Sequence, residues 1–324
     1  MARTRFAPSP TGDLHVGGAW TALASWAFAR ATGGATVLRV EDIDPPRVVA
    51  GSAARIAEDL AWLGLDWDEG ALGTAGGPHA PYTQSQRSEV YERALAELDA
   101  KGRLYPCDCS RAEIARAASA PHAGEEVVYP GTCRDLPRDR PFKRPPALRL
   151  RVPHGSDARV TFDDACRGPV GEDVAAAVGD FVLRRGDGVF AYQLAVAVDD
   201  AAMDIDLVVR GSDLLGSTAR QILLVRLLEH AQVPRYAHVP LVVGTDGERL
   251  AKRTRGATVR DLRAAGLRPE DVVGELAHGL GLVGTSRART AREVAHELSE
   301  ALAADPGAPR RWRSTPWRIP AAWT

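Results

Sequence analysis

Apolar positions along this chain alternate between two periods. A short strand candidate at 3–6 and a compact apolar run at 35–40 predict strands, and the stretch 19–31 between them carries small and aromatic apolar residues through several helical turns before Gly33-Gly34. Strand, helix and strand in so short a space make a βαβ unit, which forces parallel strands joined by a right-handed crossover. The loops after both strands then share one sheet edge, where ligands of open α/β sheets bind. Ser52 is the expected N-cap of a helix carrying Ile56, Leu60 and Leu63 and ended by Gly64. A second amphipathic helix over 89–101 is expected to bury Val90, Ala94 and Leu98 and to stop near Gly102. The intervening stretch 66–82, with Gln84-Ser85-Gln86-Arg87 at its end, is polar and Gly-rich and reads as a surface connection without chemistry.

The rhythm then breaks. Tyr105-Pro106-Cys107-Asp108-Cys109 and Tyr129-Pro130-Gly131-Thr132-Cys133 are tight turns on either side of a short helix expected over 112–118. A Pro- and Arg-rich connection (137–146) precedes two stretches, 147–152 and 159–162, that alternate like a pair of strands, and 181–185 with 189–192 predict a hairpin around Gly186-Asp187-Gly188. The α/β pattern returns with a strand ending in the charged loop at 206–213, a helix over 217–230 and a strand over 238–243 before the tight turn Gly244-Thr245-Asp246-Gly247. Helices follow over 258–265, 269–279 and 291–304, then a tail containing Trp and Pro. The expected organisation is an α/β domain in two halves (1–104 and 181–256), an α+β insertion (105–180) between them, and a short helical C-terminal region (257–324).

With 324 residues the chain can bury a substantial core, and its formal charge of −1 offers no bulk basic field, so any RNA contact must be local. No secretory signal and no apolar run of membrane-spanning length is present, which leads to the expectation of a cytoplasmic protein without an evident obligate protein partner. The cysteines Cys107, Cys109, Cys133 and Cys166 do not form a disulfide framework for a chain of this size. Three thiols gathered from two turns suit a tetrahedral Zn²⁺ site, with His122, Tyr129 and Asp108 all within range as the fourth ligand; the alternative is that these thiols are buried as small apolar groups. Cys166, in the turn Asp164-Ala165-Cys166-Arg167-Gly168, is expected to be a bystander.

Chemistry concentrates at the first strand–helix junction. A helix N-terminus with unpaired N–H groups lies just past a strand, and Gly17 and Gly18 put no Cβ between that backbone and a phosphate, to which His15 can donate. The βαβ geometry brings Arg5, Ser9, His15 and Glu41 to one cleft. The longer run Arg5-Phe6-Ala7-Pro8-Ser9-Pro10-Thr11-Gly12-x-Leu14-His15-x-Gly17 resembles the first signature of class I glutamyl-type aminoacyl-tRNA synthetases. Stretches 39–44, 192–200, 208–213 and 249–253 follow in that family's order, so the resemblance covers about residues 1–260. It implies an α/β fold with a Rossmann-type catalytic domain that activates L-glutamate with ATP and Mg²⁺ and passes the glutamyl group to a tRNA. Glutamate carries two carboxylates and one ammonium; Arg5 and Arg210 supply planar cationic forks and Glu41 an anion. By resemblance, Arg5, Tyr192 and Arg210 hold the side-chain carboxylate, and Ser9 and Glu41 the head group. His15, Gly17, Gly18 and Lys252 hold ATP, with His15 and Lys252 the catalytic pair. Arg249-Leu250-Ala251-Lys252-Arg253 stands where the family has Lys-Met-Ser-Lys-Ser and keeps only the second lysine.

Three departures from full-length enzymes resemble a truncated paralogous family, the glutamyl-queuosine tRNA(Asp) synthetases. The chain stops about seventy residues after the Lys252 element, Tyr129 lies four residues before Cys133, and Val196 stands where full-length enzymes carry Asn. That family attaches glutamate to the queuosine base in the anticodon arm of tRNA(Asp), and its zinc ligands fall here on Cys107, Cys109, Tyr129 and Cys133. A closed set of this kind implies a structural zinc. Two other readings have different outcomes: a truncated enzyme charging a tRNA 3′ end, and a non-catalytic adenylate-fold protein that binds glutamate and ATP.

Overall fold

The computed structural model describes every residue except 73–75, 118–127, 248–257, 306, 312–314 and 324. Strand β1 (Thr4–Phe6), helix α1 (Val16–Ala31) and strand β2 (Thr36–Leu38) form the expected βαβ unit, with Thr4 opposite Thr36 in a parallel pair. The helix begins at Val16, so Gly17 and Gly18 lie inside its first turn, where glycine's poor helix propensity hides the start from a reading of periodicity. Helix α2 (Ser52–Trp62) is capped by Gly51 in the left-handed region (φ 73°), not by Ser52. The Ser52 hydroxyl is occupied elsewhere: it accepts from the Gly12 N–H at 3.2 Å and donates to the Gly12 carbonyl, fixing the loop after β1 to α2. Strand β3 (Glu69–Gly70) adds parallel to β2. Helix α3 (Ser88–Ala100) buries Tyr91, Ala94, Leu95 and Leu98 and leaves Val90 half-buried.

Strand β4 (Leu104–Cys107) leads through α4 (Arg111–Ala117) to β5 (Ala147–Leu150), β6 (Arg159–Asp164), β7 (Gly168–Asp173), the single turn α5 (Val174–Ala177) and β8 (Val182–Arg184). The two stretches expected to pair belong to different sheets. β5 lies antiparallel between β4 and β8, whereas β6 pairs with β7, because Pro153 and the 3-10 turn Gly155–Ala158 redirect the chain and the Val152 N–H donates to Asp180 at 2.8 Å. The predicted hairpin is reduced to one antiparallel bridge, Arg184 to Phe190, and Tyr192 already opens helix α6 (Tyr192–Ala202).

Next come β9 (Leu207–Gly211), α7 (Leu215–Leu227), β10 (Arg235–Val239) and β11 (Val242–Val243). Pro240 lacks an N–H for a ladder and divides the single strand expected over 238–243 into β10 and β11. Helices α8 (Val259–Ala264), α9 (Pro269–Leu280) and α10 (Ala291–Ala304) follow, and β12 (Trp317–Arg318) pairs parallel to β11. Among the described residues no helix is long and apolar enough to cross a membrane.

Strands β9, β10 and β6 are parallel neighbours, with β7 antiparallel at the edge. β9 also lies beside β1, since the N–H groups of Asp206 and Leu207 donate to the Arg3 carbonyl. Strand order thus runs outward from β1 to β2 on one side and from β9 to β10 on the other. A crevice opens at such a reversal. Alternation along the strands separates two cores: Leu38, Leu207 and Val209 face α1, α9 and α10, while Val37 and Val208 face the opposite layer, which includes Leu98, Leu194 and Leu223.

Trp317 stacks on Trp20 with ring centroids 5.0 Å apart, and a Cβ on Gly279 would come within 2.7–2.8 Å of both rings. Gly279→Ala is expected to cost about 1–3 kcal/mol through overpacking, read as a lowered urea midpoint; an unchanged midpoint would show that the rings yield freely. On α2, Asp59 is buried beside Leu14, with Arg260 Nε at 3.6 Å, and burial pushes its carboxyl up to about 6. A carboxyl held above its unfolded value binds protons more tightly in the native state. Its destabilising contribution is therefore absent below about pH 4 and complete above about pH 6. Asp59→Asn is expected to gain on the order of 2 kcal/mol over the wild type above that window and nothing below it. Denaturant titrations across the range check this, and a gain independent of pH would contradict it.

Candidate active site and cysteine cluster

The crevice between β1 and β9 holds a cavity of about 340 Å³. Arg5 reaches it from β1, Arg210 from β9, Tyr192 from the start of α6, and His15, Gly17 and Gly18 from the start of α1. A second cavity of about 650 Å³ shares Tyr192 with the first and is lined by Ser9, Glu41, Cys107, Cys109 and the arginines Arg47, Arg111, Arg149 and Arg185. The residues singled out in the sequence thus fall on two adjoining spaces, Arg5 and Arg210 with the helix N-terminus, Ser9 and Glu41 on the far side of Tyr192. The two glycines differ in their physical reason. A Cβ on Gly17 would meet nothing, whereas one on Gly18 would come within 2.7 Å of Leu14 Cδ1. Lys252 and Arg249 lie outside the described residues. Thr258, just beyond them, bridges to His15, and the Val259 N–H donates to the Leu14 carbonyl at 2.8 Å.

Behind this surface lies a buried ionic network. Arg39 is fully buried, with Nη1 donating to Asp200 (2.7 Å), Nη2 to Glu41 (3.0 Å), and Nε 3.8 Å from Asp199. Asp200 also accepts from Arg5 Nε at 3.2 Å. Asp199 accepts from Arg87 (2.6 Å), Gln84 (2.8 Å) and the Tyr91 hydroxyl (2.9 Å). Burial alone would push the Asp200 carboxyl up, but Arg5 and Arg39 together hold it below the usual carboxylate range. At Glu41 burial wins over Arg39 and Arg5 and pushes the carboxyl up. The surroundings of Arg210 are of another kind. Its Nε donates to His238 Nε2 (3.0 Å), Nη1 to Gln221 (2.7 Å) and Nη2 to Thr218 (2.8 Å), all neutral acceptors. Among the described residues no carboxylate is within ion-pairing distance of it, although the buried Asp200 feels its charge from farther off, so a cation without a direct carboxylate partner faces the first cavity.

Sequence reasoning assigned no role to Arg39, Asp199, Asp200, Gln84 or Arg87, and treated the last two as part of a surface connection. One signal was available: Asp199-Asp200 closes the apolar run Leu194–Val198, and paired acids inside an apolar helix demand buried cations.

The thiols of Cys107, Cys109 and Cys133 lie within 4.8 Å of one another. Cys109 and Cys133 are 3.5 Å apart, and the Tyr129 hydroxyl is 3.3 Å from Cys107 Sγ and 3.9 Å from Cys109 Sγ. Sulfurs on one tetrahedral zinc at about 2.3 Å stand about 3.8 Å apart, so this donor set fits Zn²⁺. Asp108 accepts from Arg140 (2.6 Å) and the Lys143 N–H (2.9 Å) and lies 3.7 Å from the Cys133 thiol alone, whereas the Tyr129 hydroxyl reaches two of the sulfurs; His122 lies outside the described residues. Arg149 stacks its guanidinium 3.8 Å from the Tyr129 ring centroid, and Arg140 donates to Cys133 Sγ at 3.3 Å, so cations surround the thiols. Cys166 is in a turn, with its thiol pushed up to about 12 by burial and by Asp164.

Comparison with known proteins agrees with this geometry. The family described as tRNA synthetases class I (E and Q), catalytic domain, matches residues 1–300. A Glutamyl-Q tRNA(Asp) synthetase from Symbiobacterium thermophilum is 52% identical over 286 residues, covering 86% of each chain. A Glutamate--tRNA ligase from Anaeromyxobacter is 45% identical over 85% of this chain but only 57% of its own. The crystal structure of a glutamate tRNA ligase from Elizabethkingia meningosepticum in complex with its amino acid superposes with a TM-score of 0.81 at 29% identity, over 99% of this chain and 67% of that one. A two-sided parallel sheet with its crevice at the β1–β9 reversal, and so extensive a match in sequence, make the assignment: the chain belongs to the class I tRNA synthetases (E and Q), a family of ligases.

Proposed function

We propose that this protein activates L-glutamate with ATP and transfers the glutamyl group to the queuosine base of the tRNA(Asp) anticodon. The observation that carries the glutamate assignment is Arg210, a buried guanidinium whose neighbours are all neutral acceptors and whose remaining N–H groups are donors only. Such a group favours a carboxylate over a carboxamide, because the amide would set donor against donor. Arg5, paired with Asp200, and Tyr192 complete the carboxylate pocket. Glu41 and Ser9 take the head group, where a bound ammonium answers the Glu41 charge that burial penalises. His15 with the backbone at Gly17 and Gly18 receives ATP, and Lys252, by its match to the family's Lys-Met-Ser-Lys-Ser element, joins it. The amino acid's α-carboxylate then attacks the α-phosphate and pyrophosphate leaves; positioning and fixed cations supply the catalysis. The queuosine assignment is favoured by the Symbiobacterium relative, 52% identical over 86% of its own chain.

Zn²⁺ would be held by Cys107, Cys109, Cys133 and Tyr129, which leaves no open position for substrate, so its part is structural. It would fix the turns that seat Arg149 at the wall of the second cavity.

Incubation with labelled glutamate, ATP and either queuosine-containing or queuosine-free tRNA(Asp) tests the reading. Label is expected on the base of the queuosine-containing tRNA alone. Label on the terminal ribose would make this a 3′-end charging enzyme, and absence of glutamate-dependent ATP–pyrophosphate exchange would make it a binding protein. Metal analysis is expected to give about one zinc per chain, lost in Cys133→Ser; a full complement retained in that variant would remove Cys133 from the ligand set.

A further inference from the structure

The strands β6, β10 and β9 carry a row of three buried polar side chains. Asp164 ends β6, His238 lies in β10, and Arg210 stands directly opposite His238 in β9. Asp164 is anchored as an anion: Oδ1 accepts from the backbone N–H groups of Cys166 (3.0 Å), Arg167 (2.9 Å) and His238 (3.2 Å), and Oδ2 lies 2.6 Å from His238 Nδ1. An ionised carboxylate only accepts, so His238 Nδ1 carries the proton. Its Nε2 is then a lone pair, available to the Nε–H of Arg210 at 3.0 Å and to the Thr218 hydroxyl at 3.1 Å.

We infer that His238, locked in its Nδ1–H form by Asp164, is a positioning residue that orients Arg210 for an anionic substrate group without neutralising it. The inference rests on the reading of Arg210 as the glutamate-carboxylate cation. A carboxylate in place of His238 would hold the guanidinium equally well but would compete with the substrate. A neutral ring passes on the orientation imposed by Asp164 while keeping the anion one residue away. The other tautomer, or the imidazolium, would turn an N–H toward the Arg210 N–H and break the contact. The groups facing the ring are Asp164 from β6, Arg210 from β9, the Thr218 hydroxyl from α7, Arg167 from the β6–β7 turn through the His238 carbonyl, and Tyr236 of β10 stacked at 6.0 Å. Burial and the nearby Arg210 hold the ring's pKa below the ordinary histidine value despite Asp164, so the neutral form persists through physiological pH.

The test is ATP–pyrophosphate exchange by the full-length protein, with KM measured separately for glutamate and ATP. Asp164→Asn sets an amide N–H against Nδ1 and favours the wrong tautomer, and His238→Leu removes the acceptor. Each is expected to raise the glutamate KM about tenfold or more while the ATP KM stays within about twofold. His238→Gln, whose amide oxygen reaches the Nε2 position, is expected to recover most of the loss. A glutamate KM unchanged in Asp164→Asn and His238→Leu, equal rises in both KM values, or no advantage of Gln over Leu overturns the inference. Should these variants fail to fold, ¹⁵N spectra of histidine-labelled wild type decide: Nε2 is expected unprotonated and Nδ1 protonated at about pH 8, and an Nε2–H ring or imidazolium there overturns the inference. Wild-type protein without glutamate-dependent exchange would instead refute the proposed function, leaving the tautomer measurement to stand alone.

Discussion

Removing a guanidinium from water costs several kcal/mol unless its charge is met, and this fold places Arg5, Arg39, Arg87 and Arg210 in its interior. How each is answered organises the centre of the molecule. Near the end of α6, Asp199 meets Arg87 and Asp200 meets Arg5, with Arg39 reaching both, so a single helix end neutralises groups delivered by β1, the end of β2 and the turn before α3. Removing either partner of such a pair leaves a bare buried charge, which makes these contacts mutually dependent. Arg210 makes no direct pair in this arrangement, although Asp200 feels its charge; its amide, hydroxyl and imidazole neighbours leave it without a carboxylate partner at the cavity.

Much of the scaffold could be read from residues near one another in the chain. Amphipathic spacing located α3, α9 and α10, and the short strand candidates on either side of α1 gave the βαβ unit and with it the shared edge for Arg5 and His15. The failures were cases in which a distant partner decided. Ser52 looks like a cap until Gly12 claims its hydroxyl, and 147–152 looks like the partner of 159–162 until β4, β8 and β10 compete for them. Gln84 and Arg87 are polar residues in a polar stretch, and only the position of Asp199, more than a hundred residues later, makes them interior. Hydrophobic periodicity has no means of marking a buried charge, since the pattern records which residues avoid water and not which pairs can leave it together.

The cysteine cluster and the crevice meet through Arg149 and Tyr192. Arg149 packs on Tyr129 within the cluster and lines the larger cavity, which shares Tyr192 with the smaller one. A metal-dependent change in the turns around Tyr129 would therefore reach the substrate spaces by way of a single stacked guanidinium. This is a short physical route between a structural element and a binding surface.

The stacked pair Trp20 and Trp317 joins the first helix of the chain to β12, and Trp20 also lines the smaller cavity, its indole N–H donating to the Pro240 carbonyl at 2.9 Å. A ribosome delivers these parts in order. Arg5, His15 and the glycines emerge first, but the wall behind them waits for β9, then for Pro240 and β11, and finally for Trp317. Contacts of such sequence separation form late. During synthesis the nascent chain consequently carries its anion-attracting residues on an unfinished crevice, and an intact binding cavity comes into being only once β12 and Trp317 have been made.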